Sequence, residues 1–176
     1  LSHQDWRYMD LRRKTGVFYP VVNCLGIHLF PTILVFLGCI PVCFSLQLEQ
    51  PMSMVEGVLW LVGVAMVVLE WQADQQLWAF RRERSDPSQF IQTGLWAWSR
   101  HPNYFGEAFF WVSLWGMSLV AGAGPWWTGV GALAMICLFV FVSIPMMQKK
   151  NLARKPGYQA YMARTSPWVP WPPKRR

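Results

Sequence analysis

Charged residues and metal-binding patterns are both scarce in this sequence. Only 14% of the 176 residues are charged and 9 are acidic. The 3 histidines and 4 cysteines form neither an H-E-x-x-H nor a C-x-x-C pattern, so no metal site or redox pair is predicted. The cysteines at 24, 39, 43 and 137 lie in apolar runs, where we expect them to be small buried hydrophobic residues.

Apolar and aromatic residues are abundant instead. Hydrophobic residues make up 53% of the chain, with 12 Trp and 11 Phe, which is typical of an integral membrane protein embedded in a lipid bilayer. The chain opens on Leu1 and a polar segment with charges of both signs, which resembles neither a signal peptide nor a natural start. We therefore expect it to be the C-terminal part of a longer protein.

Four apolar runs approach the roughly 20 residues that a spanning helix needs. The predicted spans are 21–46, 54–71, 107–124 and 126–147. Short links, one of them a bare Gly-Pro turn, indicate two antiparallel hairpins. The predicted fold is an all-α membrane domain of about four transmembrane helices, followed by an interfacial C-terminal helix.

The positive charges predict the orientation of these spans. All 16 Lys and Arg lie before the first span, between the second and third, or after the fourth. By the positive-inside rule those segments and the C-terminus are cytoplasmic, in a bacterial inner membrane or the endoplasmic reticulum. The net charge of +7 thus reflects membrane topology, and we expect no nucleic-acid partner. The oligomeric state is left open.

The second span is predicted to continue as a helix to about residue 84. Glu70, Asp74, Leu77 and Arg81 recur at helical spacing where it leaves the bilayer. Carboxylates at the end of a span are costly unless they line a cavity or find partners, so this face is a candidate site. The alternative is an ordinary collar of interfacial charges, which we favour for residues 82–84.

The next polar stretch is S-R-H-P-N-Y-F-G-E. Pro102 suits the first turn of a helix, which places Arg100 and His101 in the approach loop. Asn103 and Glu107 then share one helix face. A helix start with a neighbouring Arg favours the binding of phosphate or carboxylate groups. The alternative is a plain turn in which Arg100 is only one of the positive charges that set the membrane orientation.

A basic segment follows the last span. Its polar residues include Lys149, Lys150, Arg154, Lys155, Tyr158 and Tyr161. Such a helix is either a membrane-surface anchor or one wall of a site for an anionic cofactor.

Three motifs, A-D-Q-Q-L-W-A-F-R, G-L-W-A-W-S-R-H-P-N-Y-F-G-E and K-P-G-Y-Q-A-Y-M-A-R-T-S-P-W-V-P-W-P-P-K, resemble the C-terminal domain of the steroid 5α-reductase family. The resemblance is closest to the family's bacterial and plant-type relatives. It implies a single membrane domain over 1–176 that lacks the family's N-terminal spans. It also implies that NADPH is bound at the cytoplasmic side and that the enzyme reduces a carbon–carbon double bond conjugated to a carbonyl, in a steroid or similar lipid.

The resemblance carries over to particular residues. Residues 70–81, which include the first motif, correspond to the family's N-x-x-x-D-x-x-L-R-x-L-R, whose Asp and last Arg match Asp74 and Arg81, whereas Glu70 and Trp78 replace its Asn and first Arg. The second motif matches fully, and its Asn and Glu are implied to contact nicotinamide and ribose. The candidate cofactor-binding residues are Asp74, Arg81, Arg100, His101, Asn103, Tyr104, Glu107, Lys150, Arg154, Tyr158 and Tyr161.

Two other functions remain open. The R-H-P-x-Y-x-G element is also similar to one in membrane methyltransferases that use S-adenosylmethionine, although Gln148 stands where many of those carry an acid. A non-catalytic membrane scaffold is the third possibility. No catalytic residue is predicted, because the family's substrate-polarising acid and tyrosine lie in earlier spans, and the hydrophobic substrate is not identified.

Overall fold

The structure, a computed structural model, describes residues 12–13 and 15–174 and is helical. The opening polar segment, predicted to be cytoplasmic, lies almost entirely outside these residues. No β-strand occurs within 15–174. We number the helices α1 (Gly16–Ser45), α2 (Met54–Glu83), α3 (Leu95–Trp98), α4 (Pro102–Val120), α5 (Trp126–Arg154) and α6 (Tyr158–Arg164).

Three of these helices, α1, α2 and α5, are long and apolar enough to cross a membrane. The predicted all-α fold is therefore confirmed, with three helices of spanning character in the described part of the chain rather than about four. The remaining predicted span, 107–124, falls mostly on α4, whose 19 residues begin with a polar turn. That turn carries Asn103 and Glu107, which lower the mean hydropathy of a helix this short.

Helix α2 carries the polar residues Glu70, Asp74 and Arg81. It starts at a capping box, in which the Ser53 hydroxyl accepts from the Glu56 amide at 3.3 Å and the Glu56 carboxylate accepts from the Ser53 amide at 2.8 Å. The helix then runs for 30 residues to Glu83 without a break. This confirms the predicted continuation well beyond the apolar run.

Helices α1 and α5 each pass through a π-helical turn, at Cys24–Leu29 and Leu138–Ser143. In both cases a proline lies two residues after the turn, Pro31 in α1 and Pro145 in α5. Proline has no N–H to donate and its ring clashes with the preceding turn. The wider π turn before it accommodates this clash, so both helices continue without ending.

Helices α2 and α4 pack antiparallel through small residues. A Cβ added to Gly106 of α4 would lie 2.7 Å from the Met66 carbonyl oxygen and 3.0 Å from the Glu70 amide nitrogen of α2. Farther along, a Cβ on Gly63 of α2 would lie 2.7 Å from the Ser113 hydroxyl of α4. The two backbones therefore approach as closely as small residues allow, a geometry typical of helices packed within membranes.

Helix α1 packs against α5 and α4 beside this pair. The backbones of α1 and α5 meet at Gly38 and Gly131, and Leu34, Ala108, Met135 and Phe139 form a buried cluster. The expectation of buried cysteines was wrong, because Cys24 and Cys43 are exposed and the other two are half-buried. Apolar residues on a span can face lipid, so an apolar sequence neighbourhood does not predict burial here.

We predict that Gly106→Ala destabilises the fold by about 1–3 kcal/mol, because the added methyl group meets backbone atoms that cannot rotate away. The free energy of unfolding in detergent measures this effect. Gly57→Ala is the matched control, since Gly57 also lies in a helix but has no atom within 4 Å of the added Cβ. It is expected to be neutral or stabilising by up to about 1 kcal/mol. Equal effects of the two substitutions would contradict the close contact between α2 and α4.

Candidate functional site

The end of α2, the start of α4 and the chain after α5 meet at one end of the bundle, which we call the polar end. Here the Asn103 amide donates to the Asp74 carboxylate at 3.0 Å, joining α4 to α2. The charges of Glu70 and Asp74 also interact with that of Glu107. The structure thus brings together the carboxylates that the sequence places on two separate segments.

Residues 94–96 are hydrogen-bonded to α2 beside these carboxylates. Gly94 has a positive φ of 61°, and a Cβ there would lie 2.4 Å from the Gln76 side-chain oxygen. That oxygen accepts from the Leu95 amide at 2.9 Å, and the Trp96 indole donates to the Ala73 carbonyl at 3.0 Å. Gln76 and Trp96 are positioning residues that sequence reasoning missed, because contacts between distant segments leave no periodic signal.

The approach loop before α4, residues 99–101, is almost fully buried. Arg100 is 7% exposed and His101 is 5% exposed. The Nε and Nη1 atoms of Arg100, the Nε2 atom of His101 and the Oδ1 atom of Asn103 are buried without a hydrogen-bond partner. A buried polar group left unpaired costs about 1–3 kcal/mol, and more if it is charged. Several such atoms in four consecutive residues make this loop a candidate for ligand binding.

His101 begins a stack of three aromatic rings. Its ring lies parallel to that of Tyr104 at 5.3 Å, and Tyr104 lies parallel to Phe139 in the π turn of α5 at 4.5 Å. Burial, with a smaller contribution from the positive charge of Arg100, lowers the pKa of His101 to about 4. The imidazole is therefore neutral at physiological pH, so it can accept or donate a hydrogen bond without adding charge.

Two tyrosines of α6 lie near the Arg100 guanidinium. Tyr158 and Tyr161 are 3% exposed, and their hydroxyls interact electrostatically with Arg100. Phe90 packs on both rings, at 5.2 and 5.5 Å, and the Tyr161 hydroxyl donates to the Trp96 carbonyl at 2.5 Å. Burial raises the pKa of both tyrosines, so both hydroxyls are protonated donors at neutral pH.

A group of three cations forms the other side of the polar end. Lys155 follows α5 and is close enough to Arg84 and Arg81 at the end of α2 for their charges to interact. Burial, followed by these two positive charges, lowers the pKa of Lys155 to about 8. Lys155 and Tyr158 both line an open cavity of about 340 Å³. We call Arg81, Arg84 and Lys155 the basic cluster.

The remaining candidates, Lys150 and Arg154, lie on the last turns of α5. Lys150 is half-buried, whereas Arg154 is exposed and lines the same cavity as Lys155. Lys155, which the sequence analysis placed in the basic segment but not among the cofactor-binding candidates, is better placed than Arg154 to meet Arg81. Because an α-helix rises about 1.5 Å per residue, Glu70 and Arg81 are separated by roughly 16 Å along α2.

The polar end therefore has a carboxylate and amide side, a buried loop with unpaired donors, and a basic side. Within 12–13 and 15–174, no group of three or more His, Cys, Asp or Glu residues could hold a metal ion. The arrangement suits an elongated ligand with anionic groups at one end and hydroxyl or amide groups at the other.

The fold and this site define a helical protein with membrane-spanning character and a candidate ligand site at its polar end. The chain belongs to the family described as "Protein of unknown function (DUF1295)", whose model matches residues 2–165. It is similar to the "Uncharacterized protein C594.04c" of Schizosaccharomyces pombe, with 24% identity over 189 residues that cover 95% of this chain and 55% of that protein. The chain thus spans about half the length of this curated relative. No solved structure matches it significantly.

We predict that the fold loses stability as the pH falls from about 6.5 towards 4. His101 has a pKa of about 4 in the folded state, below its ordinary value of 6.5, so the unfolded chain binds this proton first. The stabilisation is complete above pH 6.5, and its loss amounts to about 3 kcal/mol once the pH reaches 4. The free energy of unfolding in detergent, measured across this range, tests the prediction.

His101→Phe keeps an aromatic ring in the stack and is expected to remove this part of the pH dependence. His28→Gln is the control, since it leaves His101 in place and should keep the loss. A pH profile unchanged by His101→Phe would show that the imidazole is not buried as described.

Proposed function

We propose that this protein is an NADPH-dependent membrane oxidoreductase of the steroid 5α-reductase type, reducing a carbon–carbon double bond conjugated to a carbonyl in a lipid or steroid-like substrate. The observation that supports this most is the buried Arg100 guanidinium, whose Nε and Nη1 atoms have no protein partner. An arginine is buried in this way at a considerable cost, which a bound anion offsets.

The residues at the polar end suit the parts of NADPH. The planar fork of Arg100 matches phosphate oxygens, and the protonated hydroxyl of Tyr158 adds a donor beside it. NADPH carries phosphates at more than one place, and the basic cluster supplies a second group of cations. On the other side, the unpaired Asn103 Oδ1 accepts an amide or hydroxyl hydrogen, and Glu107 accepts hydroxyl hydrogens.

NADPH supplies the hydride when it is bound, and the protein residues bind and orient it. Asp74 holds the Asn103 side chain through its amide nitrogen, which leaves the amide oxygen turned to a ligand. Neutral His101 adds a hydrogen-bonding nitrogen without repelling the Arg100 cation. Burial of this loop excludes water, which strengthens each of these interactions.

The location of the site fits a substrate dissolved in the membrane. The long helices expose apolar surface, including Trp60 and Phe36, that suits lipid. We propose that the polar end faces the cytoplasm, as the positive-inside rule predicts, where soluble NADPH can reach it. A hydrophobic substrate would then approach from the bilayer and NADPH from water.

Methyl transfer from S-adenosylmethionine is the second candidate function. The Arg100 fork would also suit the carboxylate of that cofactor, which favours this reading. S-adenosylmethionine has no phosphate, however, and leaves the basic cluster of Arg81, Arg84 and Lys155 without an anion to bind. The proximity of these three cations therefore favours NADPH, which carries several phosphates, as the cofactor.

Thermal unfolding of the purified full-length protein in detergent, with NADPH, NADH or S-adenosylmethionine, distinguishes these functions. We expect NADPH to stabilise the fold by about 2.7 kcal/mol at a hundredfold excess over Kd. Asn103→Ala should weaken this binding by about ten- to a hundredfold, because it removes a buried hydrogen-bond acceptor, and Glu107→Gln by up to about tenfold, because a neutral amide oxygen accepts a weaker hydrogen bond than a carboxylate. Glu49→Gln, an exposed carboxylate outside the polar end, is the matched control and should bind as the wild type does.

Stabilisation by S-adenosylmethionine alone would contradict the reductase and support methyl transfer. No stabilisation by any of the three would support a non-catalytic scaffold. Consumption of NADPH with an enone lipid is the direct assay of the reaction.

A separate prediction concerns the pH dependence of NADPH binding at the basic cluster. The pKa of Lys155 is about 8, so its ammonium group loses its charge as the pH rises from 7 to 9. We expect the affinity for NADPH to fall by about tenfold over this range, since a charged hydrogen bond to phosphate is lost. Lys155→Arg keeps the charge and should remove the fall.

Lys149→Arg is the control, because Lys149 is exposed and not part of the basic cluster. Titration of NADPH at each pH measures the effect. The same fall in wild type and in Lys155→Arg would exclude Lys155 as a phosphate ligand.

A further inference from the structure

The loop that carries Arg100 and His101 is bound along its length by the C-terminal tail, residues 165–171. The Arg100 amide donates to the Ser166 carbonyl at 2.9 Å, and Ser99 and Ser166 form a parallel bridge. The Trp171 amide donates to the Trp98 carbonyl at 3.0 Å. These backbone bonds join segments that are more than 60 residues apart in the sequence.

Ser99 is the side chain that joins this tail to the loop. It is fully buried, and its hydroxyl donates to the Trp168 carbonyl at 2.5 Å. The same hydroxyl accepts from the His101 amide at 3.1 Å. The Ser99 hydroxyl thus donates to the tail and accepts from His101, the residue that precedes α4, which alanine cannot do.

The tail is also anchored to α4 by its own aromatic side chain. The Trp168 ring packs against Phe105 and Phe109 of α4, with centroids 6.0 Å away in each case. The tail therefore contacts α4 and the approach loop together, and it sets the position of one relative to the other.

We propose that residues 165–171 form a clamp that holds Arg100 and His101 in their ligand-binding positions, and that Ser99 is the positioning residue through which the clamp acts. The backbone of Arg100 is bonded to the tail and that of His101 to Ser99, whereas the Nε and Nη1 atoms of Arg100 and the Nε2 atom of His101 are left unpaired for a ligand. The identity of that ligand rests on the proposed function, but the clamp itself does not.

The test compares Ser99→Ala with Thr128→Val in the full-length protein. Thr128 is also fully buried, and its hydroxyl donates to the Pro125 carbonyl at 2.8 Å, at the start of α5 and away from the polar end. Each substitution removes a hydrogen bond from a buried hydroxyl to a carbonyl, and Ser99→Ala also removes the bond from the His101 amide. A loss that follows from general destabilisation would therefore appear in both variants.

Two quantities are measured, the amide hydrogen exchange of Arg100 and Trp171 without ligand, and the Kd for NADPH. Neither amide bonds to the Ser99 side chain, so faster exchange reports release of the whole clamp. We expect Ser99→Ala to speed exchange at both amides and to weaken NADPH binding by about tenfold. Thr128→Val should change neither quantity.

Unchanged exchange at Arg100 and Trp171 in Ser99→Ala would overturn the clamp, as would unchanged NADPH affinity despite faster exchange. If the wild type does not bind NADPH, the proposed function fails, and the exchange result alone then decides for or against the clamp. Should Ser99→Ala fail to fold, Trp171→Pro removes the amide that donates to Trp98 and replaces a side chain that is 68% exposed. Faster exchange at Arg100 in that variant supports the clamp, and unchanged exchange overturns it.

Discussion

The close contact between α2 and α4 at Gly106 is the constraint on which the rest of the polar end depends. Because a Cβ at this position would lie 2.7 Å from the Met66 carbonyl, only glycine lets the two backbones approach so closely. One turn before Gly106, this approach places Asn103 against Asp74, and one residue after it lies Glu107. Two segments that are separate in the sequence thereby form one polar surface.

The polar end is completed by segments that lie outside the long helices. The loop before α4 is fastened to α2 through Gln76 and Trp96, and to the C-terminal tail through Ser99. These contacts let the chain bury Arg100 and His101 with the Nε and Nη1 atoms of Arg100 and the Nε2 atom of His101 unpaired. Most of the hydrogen bonds that fix this loop are made by backbone atoms and by residues other than the proposed ligand-binding ones, which leaves the side-chain atoms proposed to bind NADPH unpaired.

The features that could be predicted from the sequence are those with a local or periodic pattern. The continuation of α2 to Glu83 followed from an unbroken helical pattern, and Pro102 marked the start of α4. Sequence reasoning did not identify Ser99 as a positioning residue, because its role comes from a contact with Trp168 that has no local signal. It also mistook apolar surroundings for burial at the cysteines, since a lipid-facing position and a core position have the same composition.

The central claim is that three distant segments form one binding site for a nucleotide. Amide hydrogen exchange of the full-length protein, with and without saturating NADPH, tests it most directly. The account predicts that NADPH slows exchange together in the last turns of α2, in residues 99–107 and in residues 155–161. Slower exchange in only one of these segments, or in none, would contradict it.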